Sequence, residues 1–243
     1  MDIKGLISVA KGESPADLIL LNAKIINTFT AEIEEGDVAI YDGHIAGIGD
    51  YRQGREVIDL EGKYLAPGLI DGHIHVESSL LHPAEYAKVI VPRGVCGVVT
   101  DLHEIANVSG LAGMKFVMDC IRTVPPDLYL MLPSCVPATN LETSGAQLGV
   151  EELKAALSWE NTIGLGEVMN FPGVLAGADE VLSKIALFWG KPIDGHAPSL
   201  GGKDLNAYVC AGIHSDHEST SFEEGREKLS RGMYLMIREG SSE

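Results

Sequence analysis

Asp71-Gly72-His73-Ile74-His75 closes an apolar run that begins at Leu65. Side chains at i and i+2 of a strand leave on the same face. His73 and His75 therefore present two imidazoles together, the beginning of a site for a divalent metal ion. Taken alone, an H-x-H pair is as readily one surface and one core histidine. Further ligand-type side chains follow at the ends of later strand patterns: Glu167 in GLGEVMN, His196 in DGHAP and His217 in SDHE. A carboxylate can bridge two cations through its two oxygens. Four histidines with one bridging carboxylate could hold two metals about 3.5–4 Å apart, as two-metal hydrolytic sites require. Imidazole with carboxylate suits zinc, manganese or iron, and ligand softness does not choose among them. Such a pair lowers the pKa of a bound water toward ~7. Glu218, next to His217, is placed to act as general acid or base, or else to favour a helix start. Asp101, His103 and Glu104 in DLHEIAN form a second polar cluster. They could orient the histidines, line a pocket, bind an additional ion or simply order a loop.

These side chains need a scaffold that brings distant segments to one rim. Residues 17–60 read as short strands, DLILLNAKIIN, DVAIYDGHIAGIGD and EVIDLEG, punctuated by Asp-Gly and Gly-Asp turns. Asp42-Gly43 predicts a hairpin, and His44 after it a solvent-facing strand residue. Residues 1–64 are thus assigned to a small β domain and 65–243 to a second domain. There, strands at 65–75, 95–102, 127–135, 162–168, 192–196, 212–217 and 232–238 alternate with helical patterns. The helices fall near 82–91, 109–122, 150–158, 178–188, 203–211 and 221–230. Regular β-then-α alternation means a parallel sheet under helices, with strands buried on both faces. A closed (β/α) barrel has eight strands and about 250 residues, whereas an open doubly wound sheet could also carry these seven. Polar chemistry sits at the carboxyl ends of strands one, two, four, five and six. A barrel gathers those ends around one axis; an open sheet spreads them along an edge. The expected fold class is α/β, an incomplete (β/α)8-type barrel preceded by a small β domain.

Lys+Arg of 18 against Asp+Glu of 35 gives a net charge of −17. A nucleic-acid binder needs a basic footprint, and an anionic membrane repels this chain, so neither partner is expected. Cys96, Cys120, Cys135 and Cys210 are scattered, each within or beside an apolar stretch. They read as reduced, buried thiols rather than a zinc knot or disulfide framework. MDIKGLISVAKGESPAD has no signal-peptide pattern, and no run approaches the roughly 18 apolar residues of a membrane span. The expected compartment is the cytoplasm. His82, before Pro83, reads as a helix-cap residue, His214 as a packed residue of strand six, and Trp159 and Trp189 as core or surface cover.

PGLIDGHIH is similar to the signature of the amidohydrolase superfamily. The ordered set GHIHVESSL, DLHEIANV, GEVMNFPGV, DGHAP, SDHE and MIREGS covers most of residues 17–242. Within that superfamily it resembles the adenine deaminases. The resemblance implies hydrolysis of adenine to hypoxanthine and ammonia in purine salvage, by metal-bound hydroxide attacking the carbon that bears the exocyclic amine. It implies a binuclear divalent centre of manganese or iron. His73, His75, His196 and His217 would be ligands, Glu167 the bridge where many members use a carboxylated lysine, and Glu218 the proton-transfer glutamate. It also implies that the N-terminal strands are part of a composite β-sandwich, and a homo-oligomer is expected for the full-length form. Two departures stand out. The metal-bound aspartate after strand eight, which handles the attacking water's proton, has no counterpart in these 243 residues, and neither do the strands that complete the sandwich. Leu102 replaces an expected proline between Asp101 and His103. Two alternatives therefore accompany the deaminase reading: a truncated, inactive remnant that still binds metal, with exposed strand edges, and an amidohydrolase acting on another cyclic amidine or amide.

Overall fold

The computed structural model describes residues 1–238. Positions 239–241 of the MIREGS motif lie outside the described residues. The chain divides into two compact units, Met1–Pro67 and Gly68–Glu243. No helix among the described residues is long and apolar enough to cross a membrane.

The first unit opens with a helix that the sequence pattern did not announce, α1 (Ile3–Ala10). Asp2 caps it by accepting the Gly5 N–H at 3.0 Å. Strands β1 (Ala16–Asn27), β2 (Glu32–Tyr41), β3 (His44–Gly49), β4 (Gly54–Asp59) and β5 (Tyr64–Leu65) form one sheet. β2 pairs antiparallel with β1 and β3, while β4 and β5 run parallel to β1. The expected hairpin is present between β2 and β3. Asp42 and Gly43 have φ of 48° and 74°, the two positive values that a type I′ turn demands. His44 is exposed as expected.

The second unit alternates strand and helix throughout. In order it contains β6 (Leu69–Ile74), α2 (Pro83–Ile90), β7 (Val95–Asp101), α3 (His103–Ile121), β8 (Asp127–Leu132), α4 (Val150–Ala156), β9 (Thr162–Val168), α5 (Phe171–Leu175), α6 (Asp179–Leu187), β10 (Ile193–Gly195), α7 (Gly202–Cys210), β11 (Ser215–Asp216), α8 (Phe222–Leu229) and β12 (Tyr234–Leu235). β6 to β10 pair in sequence order, all parallel, and β11 pairs parallel with β12. The His214 N–H donates to the Ile193 carbonyl at 3.0 Å and continues the series from β10. This is the strand arrangement of an incomplete (β/α) barrel. Its core packs Leu102, Met114, Leu130, Leu153, Phe188 and Tyr208, none of them more than 0% exposed, between strands and helices.

Several expectations need correction. The first barrel strand begins at Leu69, because Tyr64–Leu65 pairs with β1 in the other sheet. Its outer residues are not buried: Leu69 and Ile70 are 62% and 63% exposed, since β6 is an edge of the described sheet. α3 starts at His103, so DLHEIAN joins the last residue of β7, through the helix-capping Leu102, to a first helical turn rather than forming a loop. Gly110, with φ 60° and ψ −148°, interrupts this helix. α5 was not foreseen; Asn170 caps it through the Gly173 N–H at 2.9 Å, with Pro172 in the first turn. His214 is exposed and stands before β11, not packed within it. Of the cysteines only Cys135 is buried, although all four are free thiols.

Candidate metal centre

Four imidazoles and one carboxylate meet at the carboxyl ends of the parallel strands. β6 delivers His73, with His75 just past its end; β9 delivers Glu167; His196 follows β10 and His217 follows β11. Glu167 lies at the centre and is 1% exposed. Its Oε1 is 2.9 Å from His73 Nε2, 2.8 Å from His75 Nε2 and 3.6 Å from His217 Nε2. Its Oε2 is 2.7 Å from His196 Nδ1. The two oxygens of one carboxylate thus face different imidazoles.

The surrounding backbone holds this geometry. Asp101, the last residue of β7, accepts the Glu167 N–H through Oδ2 at 2.8 Å. Its backbone carbonyl bonds His75 Nδ1 at 2.8 Å, which makes Nδ1 the protonated nitrogen and leaves Nε2 free to act as a ligand. Gly166 makes the approach possible, because a Cβ there would fall inside the Asp101 carboxylate. Ser134 Oγ donates to the Glu167 carbonyl, and Lys184 Nζ donates to the Ser134 carbonyl at 2.9 Å. The Tyr208 hydroxyl donates to the Val168 carbonyl at 2.7 Å and accepts the His196 N–H at 3.1 Å, joining the ends of β9 and β10.

Electrostatics separate groups of the same type. Burial pushes Glu167 toward its neutral form, but the close imidazoles of His196, His73 and His75 outweigh it. The carboxyl is held well below the usual carboxylate range. Burial also pushes His73 down, yet the Asp194 and Glu167 carboxylates win and carry it up to about 10. An ion entering here displaces that proton. For His217 the balance reverses: burial and repulsion from His73 lower it to about 4. His103 is opposed by burial as well, but Asp101 and Cys135 raise it to about 12.

Among the described residues, buried polar atoms without a hydrogen-bond partner concentrate in this cluster. They include His73 Nδ1, His196 Nδ1, both ring nitrogens of His217, Asp194 Oδ2 and Glu218 Oε1. An unsatisfied buried group costs about 1–3 kcal/mol, and such groups call for an explanation. His196 Nδ1 is among them even though Glu167 Oε2 is 2.7 Å away. Ligand atoms of His73, Glu167 and His217 lie within 4.8 Å of one another, as do those of His196, His217 and Glu218. Nitrogen and carboxylate donors converging in this way fit divalent cations.

The other expected residues divide. Glu218 Oε1 stands 3.5 Å from His217 Nε2 and 3.7 Å from His196 Nδ1, with Arg238 Nη2 at 2.7 Å. His103 adjoins the cluster, its ring 4.5 Å from that of His75 and its Nδ1 3.5 Å from Asp101 Oδ1. Glu104 is exposed and accepts from Ser78 Oγ at 2.6 Å instead. Sequence reasoning missed Asp194, whose Oδ2 is 3.7 Å from His73 Nδ1, although the i, i+2 rule links it to His196. It also gave no site role to Cys135, Arg238 or the buried pair of Asp216 and Lys228, although Arg238 and Asp216 stand in the motifs MIREGS and SDHE.

The model of the amidohydrolase family matches residues 64–242. The chain is 58% identical over 242 residues to an adenine deaminase of Dehalococcoides mccartyi strain CBDB1, covering 100% of this chain and 42% of that protein. It is 54% identical over 240 residues to adenine deaminase 2 of Carboxydothermus hydrogenoformans, covering 99% and 42%. It therefore spans less than half the length of these curated relatives. Among solved structures, the N-acyl-D-glutamate deacylase of Bordetella bronchiseptica, complexed with zinc and a phosphonate inhibitor, superposes with a TM-score of 0.64 at 17% identity, over 91% of this chain and 58% of that one. The β-aspartyl dipeptidase of Fervidobacterium islandicum gives 0.57 at 16%, over 91% and 64%. At that identity the structures speak for the fold alone. The fold and the match over residues 64–242 together make this chain a member of the amidohydrolase family.

Proposed function

We propose that this chain carries the metal centre of an enzyme that hydrolyses adenine to hypoxanthine and ammonia, as part of purine salvage. The observation that supports it best is Glu167, whose two oxygens lie 2.7–2.9 Å from the nitrogens of His73, His75 and His196. In this reading His73, His75, His196, His217 and the Glu167 carboxylate would together hold a pair of divalent ions. The nitrogen and carboxylate donors, with no thiolate, suit manganese or iron, and zinc also fits. When bound, the pair supplies Lewis acidity and a water of lowered pKa.

The chain's own residues then manage position and protons. Water adds at the carbon bearing the amine, the C–N bond breaks, and of the water's two protons one ends on the ring nitrogen and one on the departing amine, which leaves as ammonia. Glu218 is the group placed to protonate a ring nitrogen of the purine or the departing amine. Arg238 Nη2, 2.7 Å from Glu218 Oε1, places a positive charge beside its carboxylate. Asp101 holds the Glu167 backbone and orients His75.

The adenine assignment draws on the relatives named adenine deaminase. Its test is a chimera in which this chain replaces the matching segment of the Dehalococcoides mccartyi protein, loaded with manganese. Ammonia release from adenine, with none from guanine or cytosine, is the expected result. Preference for another base, or no release from any while the parent protein is active, would overturn the assignment.

A further inference from the structure

Asp216 and Lys228 are each 0% exposed. Lys228 sits in α8 among charged residues, where a solvated side chain is the ordinary outcome. Its Nζ instead spends all three donors inside: on the Ala197 carbonyl at 2.8 Å, Asp216 Oδ2 at 2.8 Å and Glu224 Oε1 at 2.7 Å. Asp216 Oδ1 accepts the Ala197 N–H at 2.9 Å. Its Oδ2 accepts the Glu218 N–H and Ser219 Oγ, both at 3.0 Å. The residue after His196 is thus gripped at its N–H and its carbonyl by the same ion pair. The residues on either side of His217 belong to that pair or are bonded to it.

We propose that Asp216 and Lys228 are positioning residues that lock the backbone carrying His196 to the backbone carrying His217 and Glu218. That these side chains form a metal centre rests on the function proposed above. Two arguments support the assignment. A buried ion pair seldom adds net stability over apolar residues of similar volume, whereas its directional bonds can set one loop against another. β11 has only two ladder residues, so the sheet alone fixes this strand end weakly. The pair supplies the missing constraint.

The test uses Asp216→Asn in the intact chain. The substitution keeps the shape, and Lys228 keeps Glu224 and Ala197. However the amide turns, an NH2 now confronts either the Ala197 N–H or the Glu218 N–H. Imidazole resonances of His196 and His217, read by long-range proton–nitrogen NMR without metal, are expected to broaden or split while those of His73 and His75 stay as in the parent. Cobalt affinity is expected to fall about 10–100-fold, the usual effect of losing a supporting contact at a metal site. Leu153→Ala, a core change away from these loops, is expected to lower the melting temperature without either effect. Should Asp216→Asn not fold, the neutral double variant Asp216→Asn/Lys228→Met provides the same readout. Parent-like signals and affinity in a folded variant would overturn the proposal. If the parent takes up no cobalt yet the His196 and His217 signals broaden in the variant, the metal reading fails and the positioning role stands.

Discussion

Glu167 offers its two oxygens to different imidazoles, so replacing one oxygen separates bridging from mere packing. Glu167→Gln puts a non-coordinating NH2 in place of one ligand oxygen. Elemental analysis after dialysis is expected to show the bound divalent metal falling from two ions per chain to one or fewer. Two ions held at parent affinity would remove the bridge. Glu218→Gln, introduced into the chimera, is expected to leave metal content unchanged and slow turnover about 10²–10⁴-fold, the range for a lost general acid or base. A near-parent rate would strip Glu218 of its role. At this scale much was legible. His73 and His75 follow from a period of two, and Glu167 from its place at the end of a strand pattern. Glu104, whose role the sequence left open between supporting the site and ordering a loop, is exposed and accepts from Ser78 because α3 starts at His103. Lys228 was invisible, since nothing in EEGREKLS says that its ammonium is buried against Ala197 and Asp216. That burial is a tertiary fact.

At the scale of elements, the approach of β7 to β9 depends on a missing side chain. Gly166→Ala puts a methyl into the Asp101 carboxylate and is expected to destabilise the protein by about 1–3 kcal/mol, as overpacking does. Denaturant unfolding reads this directly, and an unchanged midpoint would show that Asp101 moves aside freely. The alternation of strands and helices could be read from the chain because each apolar run of the central strands is bounded by turn residues. The shortest elements could not. β11 and β12 have two residues each, where the pattern suggested 212–217 and 232–238, because only a short ladder forms between them. α5 escaped notice because its five residues are too few to show a period, and α1 because it is an isolated amphipathic turn or two before the first strand.

At the scale of the whole molecule, a net charge of −17 creates a field that draws cations toward a site built from one carboxylate and several imidazoles. Binding there should stabilise the unit that contains it. At free metal 1,000 times Kd, each ion adds about 4 kcal/mol to the state that binds it. Chelation is therefore expected to lower the melting temperature of the Gly68–Glu243 unit by roughly 10 °C or more. Calorimetry showing no shift would place the metals elsewhere or nowhere. The most direct test is anomalous scattering from crystals of the manganese-loaded chain. Two peaks about 3.5–4 Å apart are expected beside the Glu167 carboxylate, within the cluster of His73, His75, His196 and His217. Peaks only at other positions, or a Glu167 carboxylate that touches no ion, would contradict that expectation.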